Sequence, residues 1–256
     1  MRLRLFVLFL GIFCLAGRAS AQSPENYRVE IGYEFWKPEP EILITSGSLA
    51  TPVDFINTFP FEKDRFREFR IVLKPARGQK IRFTRVPIEY TGTAPLPQPI
   101  RFNGQTFGAG VETTAQLNWT LTTLGYEWDP VAGDKGYVGL LTSVKFNKMD
   151  AQLSATNPIA ITQTFERTVP IPTIGASARG YLGQSFSVTG DFTLLRVGVG
   201  DVSGKFFDVD IYGTLNIGRN VGVQFGYRHI TADYDVDDDT GSMKLKGTYF
   251  GGVLRY

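Results

Sequence analysis

The chain has 256 residues, with 27 Lys and Arg against 25 Asp and Glu, one His and one Cys. A formal charge of +2 is near balance and does not predict nucleic-acid binding, and a single Cys excludes a disulfide framework. No run in the body of the chain approaches the roughly 18 apolar residues a spanning helix needs, so any membrane crossing falls to β-strands.

Residues 1–21, "MRLRLFVLFLGIFCLAGRASA", combine basic Arg2 and Arg4, an apolar run from Leu5 to Ala16, and the small-residue cleavage pattern Ala19-Ser20-Ala21. They read as a signal peptide. A lipid anchor on Cys14 would want a small residue before it, where Phe13 stands. Without Arg2, Arg4 and Arg18 the remaining chain, 22–256, has 24 basic and 25 acidic residues, and it has no Cys.

Beyond the signal, about ten segments alternate with period two, as strands with one apolar and one polar face do: 26–36, 67–75, 79–90, 113–128, 136–148, 172–182, 185–196, 205–217, 220–233 and 243–256. In 205–217, Phe207, Val209, Ile211, Gly213, Leu215 and Ile217 oppose Asp208, Asp210, Tyr212, Thr214 and Asn216. The links alternate between short and long. "PARG", "DPVAGDKG", "GQ" and "GRN" are short, while 37–66, 91–112, 149–171, 197–204 and 234–242 are longer and more varied. Such alternation is how outer-membrane barrels separate periplasmic turns from extracellular loops. An all-β, closed, antiparallel transmembrane barrel is expected, of ten strands, with eight or twelve as alternatives. An even count places both termini in the periplasm.

One stretch departs from the pattern. In "LATPVDFINTFPF", Thr51 as cap and Pro52 at the first helical position imply a short helix in the first extracellular loop, ended before Pro60. The end of the chain, "YFGGVLRY", puts Phe250, Leu254 and Tyr256 on one face and Tyr249, Val253 and Arg255 on the other. This stripe resembles the C-terminal assembly signal of bacterial outer-membrane barrels. With the signal peptide and the dyad strands, the chain resembles the broad group of small OmpA-type and OmpW-type barrels. That resemblance implies a cell outer-membrane location, contact with outer-membrane lipids and lipopolysaccharide, and handling by the barrel assembly machinery. It supplies no active site.

Candidate chemistry is sparse. His229 precedes Thr231 in "GYRHITADYD", faintly resembling the His-x-Ser arrangement of lipid A deacylases, but Thr replaces Ser and both residues fall on the outward face. An outward His229 also fits poorly with an omptin-type site inside the mouth. The acid run 233–241 fails as a calcium loop, because Asp238 and Lys244 stand where Gly and Glu belong. Arg70, Lys74, Arg82, Lys145, Arg179, Asp191, Asp208, Asp210, Arg228 and Arg255 point inward in a narrow lumen, where charges must pair. If "GRN" sets the register of its hairpin, Asp210 lies opposite Arg228, and a lumen ion pair is expected between them. The reading is a barrel with a structural, surface-interaction or small-solute role, no cofactor and no catalysis. The alternatives are a narrow channel for small or hydrophobic solutes, with a small hydrophobic ligand under the first loop, and a lipid-modifying enzyme using His229.

Overall fold

A computed structural model describes residues 27–45, 53–61, 65–157, 160–183, 185–199, 202–236 and 239–256. Its elements are β1 (Val29–Thr45), β2 (Val53–Asp54), α1 (Phe55–Thr58), β3 (Phe66–Ala76), β4 (Gln79–Pro95), β5 (Ile100–Phe102), β6 (Gln105–Phe107), β7 (Glu112–Gly133), β8 (Gly136–Ala155), β9 (Ile161–Tyr181), β10 (Phe186–Val199), β11 (Val202–Ile217), β12 (Val221–Val236) and β13 (Asp239–Arg255). The ten strands other than β2, β5 and β6 pair antiparallel around a ring, β13 returning to β1 through pairs such as Glu30↔Arg255 and Phe35↔Phe250, while β2 adds to β1 and β5 pairs with β6 alone. The result is a closed ten-stranded barrel. Both ends of the described chain meet at one rim, where the amides of Arg28 and Val29 donate to the Tyr256 carbonyl at 2.7 and 2.9 Å.

At this terminal rim the links are tight. Gly78 (φ 70°) and Gly218 (φ 74°) supply the left-handed backbone that the "PARG" and "GRN" turns demand. The "DPVAGDKG" link is shorter than its sequence implies: β7 continues to Gly133 past a register shift between Trp128 and Val131, leaving only Asp134 and Lys135 in the turn.

Within the lower half the expected facing holds. Ile211, Ile217, Val223, Phe225 and Leu254 are exposed, whereas Asp208, Asp210, Thr214, Gln224 and Arg228 are buried. An apolar outside with charges inside can be solvated only by lipid. On β11 this belt runs from Phe207 to Ile217, which at strand rise and ordinary barrel tilt is roughly 25 Å of height, the thickness of an outer-membrane apolar band.

Above the belt the polarity inverts without a change of dyad phase. On β4 the inward series runs Lys80, Arg82, Thr84 and then Val86, Ile88, Tyr90, while the outward series runs Ile81, Phe83 and then Arg85, Pro87, Glu89. On β11 inward Asp210 and Asp208 give way to Phe206, and outward Phe207 gives way to Lys205. Here the wall is an ordinary water-facing sheet. Val86, Ile88 and Tyr90 of β4, Leu117, Trp119 and Leu121 of β7 and Ala151 of β8 share one buried cluster with Trp36, Phe206, Ile230 and Leu245 of the opposite strands.

The barrel therefore becomes a two-walled sandwich beyond the lipid, one wall β4-β7-β8-β9 and the other β10-β11-β12-β13-β1. Proline marks both seams. Pairing of β9 with β10 stops at Ile174↔Leu194, below Pro172 and Pro170, which stay in register with Val144 and Phe146 of β8. Pairing of β3 with β4 stops at Phe69↔Arg85, below Pro87, which stays in register with Thr120 of β7. Pairing of β1 with β3 stops at Trp36↔Phe66, below Pro38, which keeps its place opposite Gly247 of β13. A residue without N–H tolerates a ladder on one side only, so each proline ends the pairing on the other.

The predicted loops are corrected accordingly. Parts of 37–66, 91–112, 149–171, 197–204 and 234–242 are strand, because the sheets continue as a solvated sandwich after the belt ends. The first loop holds a single helical turn, Phe55–Thr58, and Val53–Asp54 instead pairs with Ile44 and Leu43; Thr51 and Pro52 lie outside the described residues. The hairpin β5–β6 caps one wall from within. Ile100 and Phe107 pack with Phe59, Leu96, Ala115 and Leu153, and the Asn103 amide at its tip donates to the Thr164 carbonyl at 3.1 Å.

Candidate functional site

Inside the belt the lumen is filled by charge. The Arg70 guanidinium contacts Glu34 at 3.3 Å, Asp210 at 3.1 Å and Glu68 at 3.5 Å. Arg228 donates through Nε and Nη2 to Asp208 at 3.0 and 2.8 Å and through Nη1 to Glu68 at 2.9 Å. Lys145 meets Asp208 at 2.5 Å. Arg82 joins Glu127 at 2.7 Å to Asp191, and Lys80 binds Glu127 and Asp129 at 2.7 and 2.9 Å. Nearer the terminal rim Arg255 holds Glu30 at 2.5 Å and also donates to Asn216.

The register places Asp210 opposite Arg228, both buried. The expected direct pair between them is nevertheless not the one formed. Arg228 turns to Asp208, two residues along β11, and to Glu68 across the lumen, while Asp210 accepts from Arg70 and from the Tyr249 hydroxyl at 2.7 Å. A guanidinium prefers a two-point grip on one carboxylate, and on the opposite wall Arg70 competes for Asp210. Glu30, Glu34, Glu68, Lys80, Glu127 and Asp129 belong to the lumen charges and escaped the sequence reading. Their signal was available, since each alternates with outward apolar neighbours such as Ile31, Phe69, Ile81 and Trp128.

A cavity of about 60 Å³ remains in the midsection, among Glu68, Arg70, Arg82, Asp191, Asp208 and Arg228, room for a few waters. The apolar cluster of the sandwich, with Trp36, Phe66, Tyr90, Trp119 and Phe206, closes the lumen above it. Burial pushes the Tyr90 hydroxyl above the ordinary tyrosine range, and this oxygen has no hydrogen-bond partner among the described residues.

Of the other sequence candidates, Phe250, Leu254 and Tyr256 all face outward and are exposed. Ala19 and Ala21 lie outside the described residues. His229 hydrogen-bonds Thr231 at 3.1 Å and meets Phe207 edge-on at 6.3 Å, on the outer surface. Asp233, at the start of the acid run, accepts from Ser242 at 2.7 Å, and no group of ligands fit for a metal occurs among the described residues.

The outer surface carries a second arrangement, absent from the sequence reading. The first outward side chain past the apolar belt is basic on most strands: Lys37, Arg67, Arg85, Lys148, Arg196, Lys205 and Lys246 on β1, β3, β4, β8, β10, β11 and β13. Lys148 is balanced by Glu166 at 2.7 Å and Lys246 by Glu41 at 2.6 Å, which holds the Glu41 carboxyl below its usual range. No ion pair is found for Lys37, Arg67, Arg85, Arg196 or Lys205 among the described residues.

No family model and no curated protein matches this chain. Solved structures do. The outer membrane protease OmpT from Escherichia coli is similar over 93% of this chain and 99% of its own, with a TM-score of 0.61 at 8% identity. The translocator domain of the autotransporter NalP from Neisseria meningitidis aligns over 100% of this chain and 95% of its own, with a TM-score of 0.45 at 9% identity. Ail, the attachment invasion locus protein of Yersinia pestis, covers 90% of this chain and 99% of its own, with a TM-score of 0.40 at 9% identity. The likeness to OmpT is one of fold: a closed ten-stranded barrel of the outer-membrane kind.

Proposed function

We propose that this protein is a sealed barrel of the cell outer membrane, with both chain ends toward the periplasm, that carries a two-walled β-sandwich outside the lipid as a surface for contact with other molecules. The observation that carries this reading is the filled interior. The ion network occupies the belt, an apolar core occupies the sandwich, and the midsection cavity between them has a volume of only about 60 Å³, the wider space of about 400 Å³ lying at the terminal rim by Tyr27, Lys74, Asp129 and Tyr137. Such a lumen gives a solute no path without breaking several buried ion pairs, each costing about 3–5 kcal/mol when one partner is stranded. A passive solute role is disfavoured on that ground. Catalysis through His229 is disfavoured because its ring faces the lipid boundary, hydrogen-bonded to Thr231.

Reconstitution into a planar bilayer tests the proposal. The folded protein should be electrically silent, and a steady unitary conductance would favour the channel alternative. Expression in an outer membrane should leave the mass of lipid A unchanged; a mass shift that disappears in His229→Ala would establish the lipid-modifying alternative.

A further inference from the structure

Like charges set directly across an antiparallel pair destabilise it. Arg196 of β10 and Lys205 of β11 are such partners, outward and exposed. The acid that the register brings nearest, Asp233 opposite Lys205, is engaged by the Ser242 hydroxyl. Directly beneath this pair, Leu194 faces Phe207 across the same two strands, and Phe207 meets Phe192 edge-on at 5.3 Å. Two cations thus sit on the last rung of an apolar ladder, at the height where acyl chains end and headgroups begin. Around the barrel, Lys37, Arg67 and Arg85 form a second basic patch on β1, β3 and β4, each one outward position beyond Phe35, Phe69 or Phe83, with Arg67 in register with Phe35 and Arg85 with Phe69 rather than with one another.

We infer that these two basic patches bind the phosphate groups of a bisphosphorylated glycolipid of the outer leaflet, its acyl chains lying on the apolar rungs below. Phosphate resolves the like-charge pair, because its oxygens accept from a guanidinium in two-point fashion while also facing an ammonium. A free anion would use the cations alone, whereas a lipid also uses the apolar platform. The inference rests on the outer-membrane orientation proposed above.

The test uses the full folded barrel in zwitterionic detergent, titrated with bisphosphorylated lipid A, with the same glycolipid stripped of phosphate, and with phosphatidylglycerol, binding being read by native mass spectrometry. The wild type should prefer lipid A. Arg196→Gln with Lys205→Gln should weaken that binding roughly thirtyfold, since each basic residue near an anionic surface contributes about a fivefold factor. Arg219→Gln, at the terminal rim, should change it less than about twofold by the same reasoning. Unchanged affinity in the double variant, or equal binding of the stripped glycolipid, would overturn the phosphate site; equal binding of phosphatidylglycerol would overturn the choice of glycolipid. If the double variant does not fold, Lys205→Gln alone decides, with about a fivefold loss expected. A wild type that shows no folded, heat-modifiable barrel on gels would instead sink the membrane reading beneath it.

Discussion

Arg228→Ala is the sharpest probe of the lumen. Its guanidinium makes two bonds to Asp208 and one to Glu68, and its side chain is only 7% exposed. Removing it strands two buried carboxylates, a change that ordinarily costs about 3–5 kcal/mol. Asp208 retains Lys145 and Glu68 retains Arg70, which places the expected loss near the lower end, about 3 kcal/mol. The partner identity can be measured apart from the total. In double-mutant cycles, Arg228→Ala with Asp208→Asn should show a coupling of about 2–3 kcal/mol, and with Asp210→Asn less than about 1 kcal/mol. Urea unfolding of the vesicle-embedded barrel gives both numbers, with Trp fluorescence as readout because the guanidinium lies 5.7 Å from the Trp36 ring. Coupling to Asp210 that equals or exceeds coupling to Asp208 would refute the geometry, and would restore the directly opposite pairing that the strand register alone suggests.

Tyr90→Phe removes a buried hydroxyl that has no partner among the described residues, so it should stabilise the barrel by about 1 kcal/mol in the same urea assay; a loss would mean that the oxygen is satisfied in solution. Pro172→Thr restores a donor opposite Arg196, so its amide should be protected from hydrogen exchange; free exchange would show that the seam is held open by something other than the missing N–H. Because Lys246 lowers the Glu41 pKa, the Glu41 carboxylate contributes stability above the ordinary glutamate pKa and loses it as pH falls through the lowered value. The wild type should therefore exceed Glu41→Gln slightly at neutral pH, by an amount that vanishes in acid, and a difference that grows on acidification would contradict that sign. Asp substitutions at Phe250, Leu254 and Tyr256 should each reduce the inserted fraction in vesicle-folding assays, more than Asp at exposed Arg219 in the turn; equal yields would deny those positions a role in meeting lipid.

Much of the fold is legible in the residues because a strand has only two faces and lipid dictates which is apolar. The ten segments match the ten barrel strands, and a three-residue turn at "GRN" determines that Asp210 sits opposite Arg228. What that register cannot determine is which way a long side chain leans. Arg228 reaches along its neighbouring strand to Asp208 and across the lumen to Glu68, a strand 160 residues away in sequence. Closure brings that carboxylate near, and alternation within one hairpin carries no trace of closure. The loop boundaries failed for a different reason: a template of apolar-out and polar-in ends where the lipid ends, so strands that continue past it look like irregular connections.

The inversion is itself a sequence signal, and it fixes the lipid boundary more sharply than hydropathy does. Along 79–90, inward Lys80, Arg82 and Thr84 become Val86, Ile88 and Tyr90, while outward Ile81 and Phe83 become Arg85, Pro87 and Glu89, with the dyad phase intact. Averaged over both faces, composition hardly changes across that point, so a window of mean hydropathy passes over it. Read one face at a time, the crossing falls between Phe83 and Arg85 outside and between Thr84 and Val86 inside. Similar crossings fall at Lys37 on β1, Arg67 on β3, Lys148 on β8, Lys205 on β11 and Lys246 on β13. A wall that must be apolar outside below one height and apolar inside above it can meet both demands only by exchanging its faces, and a cation on the last outward rung is where lipid chemistry and water chemistry both permit a charge. The prolines fall just past the same height because only there, with water available to the freed backbone groups, can a closed sheet afford to part into two.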